Sequence, residues 1–400
     1  MDLTSDHPFW FVNNGLIQTY PPLEQDVECD VAIIGAGITG ALIAARLAGD
    51  GYSVVVVDRR DVGLGSTSAS TALLQYEIDV PLVELIRKIG LPAARRAYTL
   101  SYGAIDNLET IASGLKVDCE FRRKTSVYLA QNDSKAKLLA EETKARRECG
   151  IDVRICEPAE LRDEFGLTGT AAIVSNQAAS CDPYRMTHAL IESAVSNGAR
   201  IFDRTEVRGY EQNGIGVLLK TSRQASILAK TVVIATGYEV QTMLREKIVD
   251  LKNTYALISQ PLKSVSPWNQ DWLMWQAADP YLYLRITTDN RLLVGGEDDP
   301  FSNPRLRDAS LAKKAQTIRG KVIKLLPEIE WEIEFAWAGT FGETKDGLPY
   351  IGENPAFPNF LFALGFGGNG ITFSVIAADL LSGYLAGKPS QDLELFRFDR

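Results

Sequence analysis

The sequence predicts an α/β protein of two domains, one built on a parallel sheet from separated chain segments and the other on an antiparallel sheet. Three observations carry this. Residues 29–60, CDVAIIGAGITGALIAARLAGDGYSVVVVDRR, run from an apolar stretch through a glycine-punctuated helical pattern to a valine-rich stretch, the βαβ order that requires a parallel sheet. A second apolar run ending in glycine, TVVIATG at 231–237, lies far downstream. Residues 201–230 and 254–297 are rich in short strand patterns around turn signals at Asn213-Gly214 and Asp289-Asn290, as antiparallel strands are.

The elements follow in order. Residues 31–34 are continuously apolar, as a strand buried on both faces must be. A helix is predicted over 38–48, stopped by Gly49 and Gly51, and 53–57 is the next strand. Residues 81–150 read as mostly helical: Pro92 opens a long helix, and 135–149 has helical periodicity with Gly150 placed beyond its end. Asp182 as N-cap and Pro183 at the first helical position begin a helix carrying Met186, Leu190 and Ala194 on one face. Tyr281 to Thr288 and Arg291 to Gly296 form a hairpin. A helix over 303–326 stops at Pro327, and 339–400 reads as strand, glycine-rich loop and a helix over 372–385 broken at Gly387.

Composition bounds the function. A chain of 400 residues holds roughly two or three domain-sized units. With 46% hydrophobic and 23% charged residues it can bury a core and is not globally disordered. The net charge of −9 (42 − 51) argues against nucleic acid as a partner. The five cysteines (29, 119, 149, 156 and 181) are odd in number and scattered, without a CxxC, and read as reduced thiols in a cytoplasmic protein. Two histidines exclude a His-rich metal site, and no Cys/His set has zinc spacing, so no metal is expected. The acidic start lacks the pattern of a signal peptide, and no apolar run approaches the ~18 residues of a transmembrane helix. His188, four residues before Glu192, is expected to be solvated or ion-paired, and His7 sits in a segment whose Phe9, Trp10 and Phe11 should dock on the body. Asp182 reads as a cap rather than a catalytic carboxylate.

The chemistry-bearing residues begin with Gly35, Gly37 and Gly40, a GxGxxG between strand and helix. The first allows the tight turn, the second lets a pyrophosphate approach the backbone, and the third lets the helix pack on the strand, a Rossmann-like arrangement. Amides at the helix start then face the anion. Asp58 ends the second strand 23 residues after Gly35 (58 − 35), where a carboxylate can accept from ribose hydroxyls. Residues 63–79, GLGSTSASTALLQYEID, form a polar small-residue run able to thread beside a long cofactor, with Ser66, Thr67 and Thr71 donating to phosphates; the same run is also compatible with a surface loop. The glycine motif alone does not separate NAD from FAD. An NAD-dependent Rossmann dehydrogenase would account for 29–60 and nothing after it.

GAGITG with Asp58, the GSTSAST segment, the meander through Val207, the strand ending Ala235-Thr236-Gly237, GTFGETKDGLPYIG (339–352) and LGFGGNGITFSVIAADLLSGYLAGK (364–388) follow one another in the order and spacing of a known family. From about residue 30 to 388 the chain resembles the D-amino-acid oxidase, glycine oxidase and sarcosine oxidase family of FAD-dependent amine oxidoreductases. The resemblance implies a Rossmann-like FAD-binding domain of discontinuous segments, 1–79, 151–240 and 335–400, and a substrate domain of 80–150 and 241–334 whose antiparallel sheet covers the flavin. It places Gly35, Gly37, Ile38, Thr39 and Gly40 at the pyrophosphate, Asp58 at the adenosine ribose and Arg59 beside the adenosine. It runs Ser66, Thr67, Thr71, Ala72 and Leu73 along the cofactor, sets Val207 at adenine, and puts Gly365, Gly368, Asn369, Gly370, Ile371 and Thr372 around the flavin pyrimidine ring. The last placement has physical sense of its own, because a helix N-terminus stabilises the negative charge of reduced flavin there.

The chain also departs from the family. The position of the substrate-gripping arginine of glycine oxidase-like members is Phe341, and the basic carboxylate-binding positions of sarcosine oxidase-like members are Gln75 and Thr372. Tyr281, Tyr283 and Arg285 alternate on one strand and should share a face, so Arg285 is a candidate replacement clamp, with a surface or ion-paired arginine equally open. Gln75 and Tyr76 are further pocket candidates. The covalent-flavin cysteine of sarcosine oxidase-like members aligns with Gly339, so FAD is expected to be noncovalent. The lysine that promotes dioxygen reduction there aligns with Leu293, which tilts toward a dehydrogenase and leaves the acceptor open between dioxygen and an electron-transfer partner. The implied function is oxidation of the C–N bond of an amine or amino acid derivative by hydride transfer to flavin, giving an imine. The alternative is a flavin-binding subunit that needs a partner protein for turnover.

Overall fold

The computed structural model describes every residue except 1, 6, 215, 243, 245 and 267. Two sheets organise the chain. The first has the order Tyr350–Glu353, Phe360–Leu364, Ser226–Ile234, Val27–Ile34, Val54–Val57, Arg200–Phe202, and all its pairs but the outermost are parallel. On its other edge the first half of Ser226–Ile234 pairs antiparallel with Gly216–Thr221, which forms a hairpin with Val207–Asn213. Val54–Val57 is four valines, all fully buried, because helices or hairpins cover both faces. The helix Ile38–Gly49 packs against the helices Pro183–Ser196 and Gly370–Leu385.

The second sheet has the order Ile333–Glu343, Asp250–Ser259, Leu292–Pro300, Leu282–Ile286, Trp272–Gln276, Arg122–Ala130, Ala171–Ser180, Leu73–Gln75. It is antiparallel apart from the pair of Trp272–Gln276 with Arg122–Ala130. One face carries a core of Leu257, Met274, Leu284 and Val294 closed by the helix Pro304–Leu325.

Three expectations change. Arg122–Ala130 is a strand inside the region read as helical; its RRKTS head is polar, its VYLA tail is buried, and so short an apolar run does not distinguish a central strand from a helix. Leu73–Gln75, Ala171–Ser180 and Ile333–Glu343 all pair in the antiparallel sheet although they fall wholly or mainly in the segments 1–79, 151–240 and 335–400. The chain therefore passes between the sheets more often than those boundaries allow. His188 is buried, not solvated or ion-paired; it stands edge-on to Tyr184 at 4.7 Å, and burial lowers its pKa to about 4.

Asp182 caps its helix, Oδ1 accepting from Tyr184 N and Arg185 N at 2.9 Å each. Phe9 and Trp10 dock in a small core with Trp337 and Leu293. All five cysteines are free and buried. Among the described residues no helix is long and apolar enough to cross a membrane, and no group of His, Cys, Asp and Glu is arranged to hold a metal.

Candidate active site

A cavity of about 970 Å³ runs from the carboxyl ends of the parallel strands to the antiparallel sheet. Ile34, Val57 and Ile234, the last residues of three neighbouring parallel strands, open onto it. This is the crevice at a topological switch point, where the chain leaves Val27–Ile34 for strands on either side. Every cofactor residue anticipated above lines the cavity except Gly40. Gly40 is spoken for by packing: a Cβ there would lie 1.8 Å from Gly35 O. Gly35 has φ +113°, and a Cβ on it would lie 2.3 Å from Ala235 O. A Cβ at Gly37 meets only Thr67 Oγ1, at 3.0 Å, and otherwise points at open space.

The loop and its neighbours are held by side chains from distant elements. Thr67 Oγ1 accepts from Ile38 N at 3.0 Å, and Thr39 Oγ1 meets Ser374 Oγ at 2.8 Å. Asp58 is fixed by two backbone donors, Ala36 N and Arg60 N, both at 2.8 Å, and burial nonetheless raises its pKa. Arg59 pairs with Glu239, which Arg60 also reaches at 3.0 Å, so a carboxylate stands beside both guanidiniums at this end of the cavity.

The polar run after the second strand is pinned from behind. Three successive carbonyls are each taken by a buried donor: Ala69 O by Trp337 Nε1 at 2.8 Å, Ser70 O by Trp10 Nε1 at 2.7 Å, and Thr71 O by Arg285 Nε at 2.9 Å. The chain then turns at Ala72, whose φ is +49°. Leu73, Leu74, Gln75 and Glu77 line the cavity, and Tyr76 between the last two does not. The glycine loop is stitched to the same stretch: Thr372 Oγ1 donates to Gln75 O at 2.9 Å, Asn369 Nδ2 to Glu77 O, and Gly368 N to Asp79 Oδ2 at 2.8 Å.

Two anticipated pocket residues lie elsewhere. Arg285 shares a strand face with Tyr281 and Tyr283 but sits beyond the cavity wall. It is 3% exposed and donates to Thr71 O and Cys181 O beneath the Trp10 ring. Burial lowers its pKa to about 10. It is therefore not placed to grip a carboxylate in the cavity; it holds the polar run in position. Tyr76 points away from Gln75 by strand alternation, and its hydroxyl accepts from Arg146 Nη1 at 3.0 Å within a buried cluster of Glu77, Glu142 and Tyr98. Gln75, Tyr281 and Tyr283 do line the cavity.

Around these two tyrosines stand lining residues that were not anticipated: Thr254, Trp275, Tyr128, Asp79, Asp298, Lys252 and Glu343. Tyr283 Oη meets Thr254 Oγ1 at 3.0 Å, and the Tyr281 and Tyr283 rings are 5.6 Å apart. Gly295 faces Tyr283 across the ladder, and a Cβ there would lie 2.3 Å from its ring. The Gly295-Gly296 pair in a strand interior was the available signal for this close approach. Trp275 stacks on Tyr128 at 3.6 Å. Asp79, Asp298 and the Lys252–Glu343 ion pair, at 2.7 Å, share the same region. Burial pushes Asp79 up to about 6 and Asp298 up to about 7. Both line the cavity, Asp79 open to it and Asp298 half-buried.

The residues present fit a dinucleotide-sized flavin cofactor. Ser66 Oγ, Thr236 Oγ1 and Gln75 Nε2 are buried on the cavity wall without partners, spaced from the glycine loop to the antiparallel sheet. The first-turn amides of the helices Ile38–Gly49 and Gly370–Leu385 supply donors at both ends.

Comparison with known proteins agrees with this geometry. The family described as DAO: FAD dependent oxidoreductase matches residues 30–383. The glycine oxidase of Bacillus subtilis (strain 168) is 27% identical over 386 residues, covering 93% of this chain and 97% of that protein. The gamma-glutamylputrescine oxidoreductase of Escherichia coli (strain K12) is 23% identical over 386 residues, covering 92% and 86%. The crystal structure of glycine oxidase from Geobacillus kaustophilus superposes with a TM-score of 0.77 at 23% identity, covering 94% of this chain and 99% of that one.

Proposed function

The chain belongs to the DAO family of FAD-dependent oxidoreductases, and from that premise we propose that it oxidises the C–N bond of an amine or amino acid derivative to an imine. The observation that carries the reading is the continuity of one cavity from the glycine loop at Gly35 to the aromatic wall at Tyr281 and Tyr283. Such a cavity can hold the adenosine end of a dinucleotide at one end and a small substrate at the other. FAD, when bound, supplies the two-electron acceptor for a hydride leaving the carbon that bears the amine.

The chain's own groups bind, orient and exclude water. Ile38, Thr39 and the hydroxyls of Ser66 and Thr67 would hold the pyrophosphate, and Asp58 the ribose. The Gly365–Thr372 loop and its helix N-terminus would face the flavin's pyrimidine edge. Burial raises the pKa of both Tyr281 and Tyr283, so both phenols stay protonated and orient a substrate as neutral hydrogen-bonding groups, not as bases. Trp275, Phe341 and Phe366 add apolar walls that keep water from the reacting carbon. The reacting amine must arrive neutral, because its lone pair forms the new C=N bond as the hydride leaves; one N–H proton then goes to solvent to give the neutral imine. Neither histidine lines the cavity, and this route asks for no histidine base.

Anaerobic mixing of the holoenzyme with a panel of amines and amino acids tests the reading. The oxidised flavin absorbance should bleach with at least one member. Bleaching by dithionite but by no amine or amino acid would overturn it.

A further inference from the structure

The substrate end of the cavity is acidic beyond its internal pairing. Lys252 is matched by Glu343 at 2.7 Å, and among the described residues Asp79 and Asp298 have no ion pair of their own, only the more distant field of that lysine. Asp79 receives one backbone donor, Gly368 N. Asp298 keeps Oδ1 without a partner on the cavity wall. Nearby, Glu77 is 3% exposed, and its Oε2 is also unpartnered, although its other oxygen is held by Ser126 and Arg146. A buried carboxylate oxygen without a donor is unfavourable unless something absent from the chain completes it.

The aromatic wall has the same preference. Tyr281, Tyr283 and the stacked pair of Trp275 on Tyr128 present ring systems whose faces attract cations. The one arginine on this strand, Arg285, is spent on backbone carbonyls outside the cavity, and the family's clamp position holds Phe341. A substrate carboxylate entering here would find Lys252 already paired and at least two carboxylates opposing it.

We propose that this cavity takes an alkyl diamine or polyamine, whose second, cationic nitrogen is received by Asp79 and Asp298 while the neutral amine is oxidised. The assignment rests on the amine-oxidoreductase reading above and names its substrate class. The raised titration of both carboxyls fits the same picture: desolvation favours their protonated form, and a bound ammonium would draw each to the carboxylate. With a dication in place, one nitrogen remains protonated against the carboxylates, and the other loses its extra proton so that its lone pair can form the C=N bond as the adjacent carbon gives up the hydride. The products are then an aminoimine and, after water adds, an aminoaldehyde and ammonia.

The test uses the FAD-loaded enzyme without oxygen, with putrescine and spermidine set against n-butylamine, glycine, sarcosine and L-proline. Putrescine or spermidine should bleach the flavin at lower concentration than n-butylamine by about tenfold or more, the effect of one desolvated charge pair. Binding is read separately by calorimetry on dithionite-reduced enzyme, which cannot accept a hydride. Asp298→Asn and, independently, Asp79→Asn should each cut the putrescine-to-butylamine affinity ratio by about tenfold. Bleaching by an amino acid at lower concentration than by either polyamine would overturn the cationic-substrate assignment and leave the amine-oxidoreductase reading standing. An unchanged affinity ratio in both variants would likewise overturn it. No bleaching by any member, with FAD bound and reducible by dithionite, would overturn both.

Discussion

Gly37 is the residue on which cofactor binding turns most sharply. Because a Cβ there is met only by Thr67 Oγ1, the backbone tolerates a side chain, which would fill the open space the proposed reading gives to a pyrophosphate. Gly37→Val should fold with near-normal stability and purify without FAD, as read by absorbance and a thermal melt; full FAD content in the variant would show that this loop does not hold the phosphate. Asp58 acts differently. Its carboxylate holds Ala36 N and Arg60 N as well as facing the cavity, so Asp58→Ala should weaken FAD by one to two decades and also lower Tm. A hydrogen bond to a charged group is typically about 1.5–3 kcal/mol, and two orphaned amides add their own cost. Asp79 and Asp298 give a pH signature. Folded-state values of about 6 and about 7, above the ordinary 3.8, mean that the folded state holds these protons more tightly than the unfolded one. Their contribution to stability therefore falls as pH rises from about 4 through about 7, with Lys252 and Glu343 alongside moderating it. In the cofactor-free protein, the Tm advantage of the Asp79→Asn, Asp298→Asn double variant over wild type should grow between about pH 5 and about pH 8. An advantage that shrinks over that range would contradict the raised titration.

At the scale of elements, the polar run 66–72 owes its path to three side chains from three other places in the chain. Trp337, Trp10 and Arg285 each take one of three consecutive carbonyls, leaving the opposite side of the run to the cavity. Arg285→Leu would orphan Thr71 O and Cys181 O. It should reduce FAD affinity by roughly one to two decades while altering no preference among substrates. Trp337→Phe should do the same more weakly, since it removes one neutral donor and keeps the ring. A specificity change in Arg285→Leu without loss of FAD would restore the carboxylate-clamp role instead. The alternation of Tyr281, Tyr283 and Arg285 was correctly placed on one face. What it omitted is that a strand is long enough for one end of a face to meet a cavity while the other meets a neighbouring segment.

At the scale of the molecule, the two sheets meet around one cavity, and any cofactor in it touches both. The attachment is expected to be noncovalent. Gly339 lines the cavity with no side chain to offer, and none of the five cysteines lines it among the described residues. Acid or heat should release intact FAD into the supernatant; flavin fluorescence that travels with the denatured polypeptide on a gel would contradict this.

The sequence by itself determined the parallel core, the glycine loop, the polar run and the C-terminal loop. Each is a local pattern: a continuous apolar run needs two covered faces, and a turn with no room for a Cβ needs glycine. Asp182 followed by Pro183 was legible as a helix start for the same reason. The strand Arg122–Ala130 was not, because its burial comes from Trp272–Gln276 and Ala171–Ser180 on either side, and nothing within nine residues records that. His188 looked solvated beside Glu192 and is buried because Tyr184 and the chain around Val62 close over it. Only the tertiary structure decided which charged groups enter the cavity. It sent Arg285 to backbone carbonyls and brought Asp79, Lys252, Asp298 and Glu343 together from four separated stretches. Charge in a site is a sum over groups that converge in space, and one-dimensional spacing carries no record of that convergence.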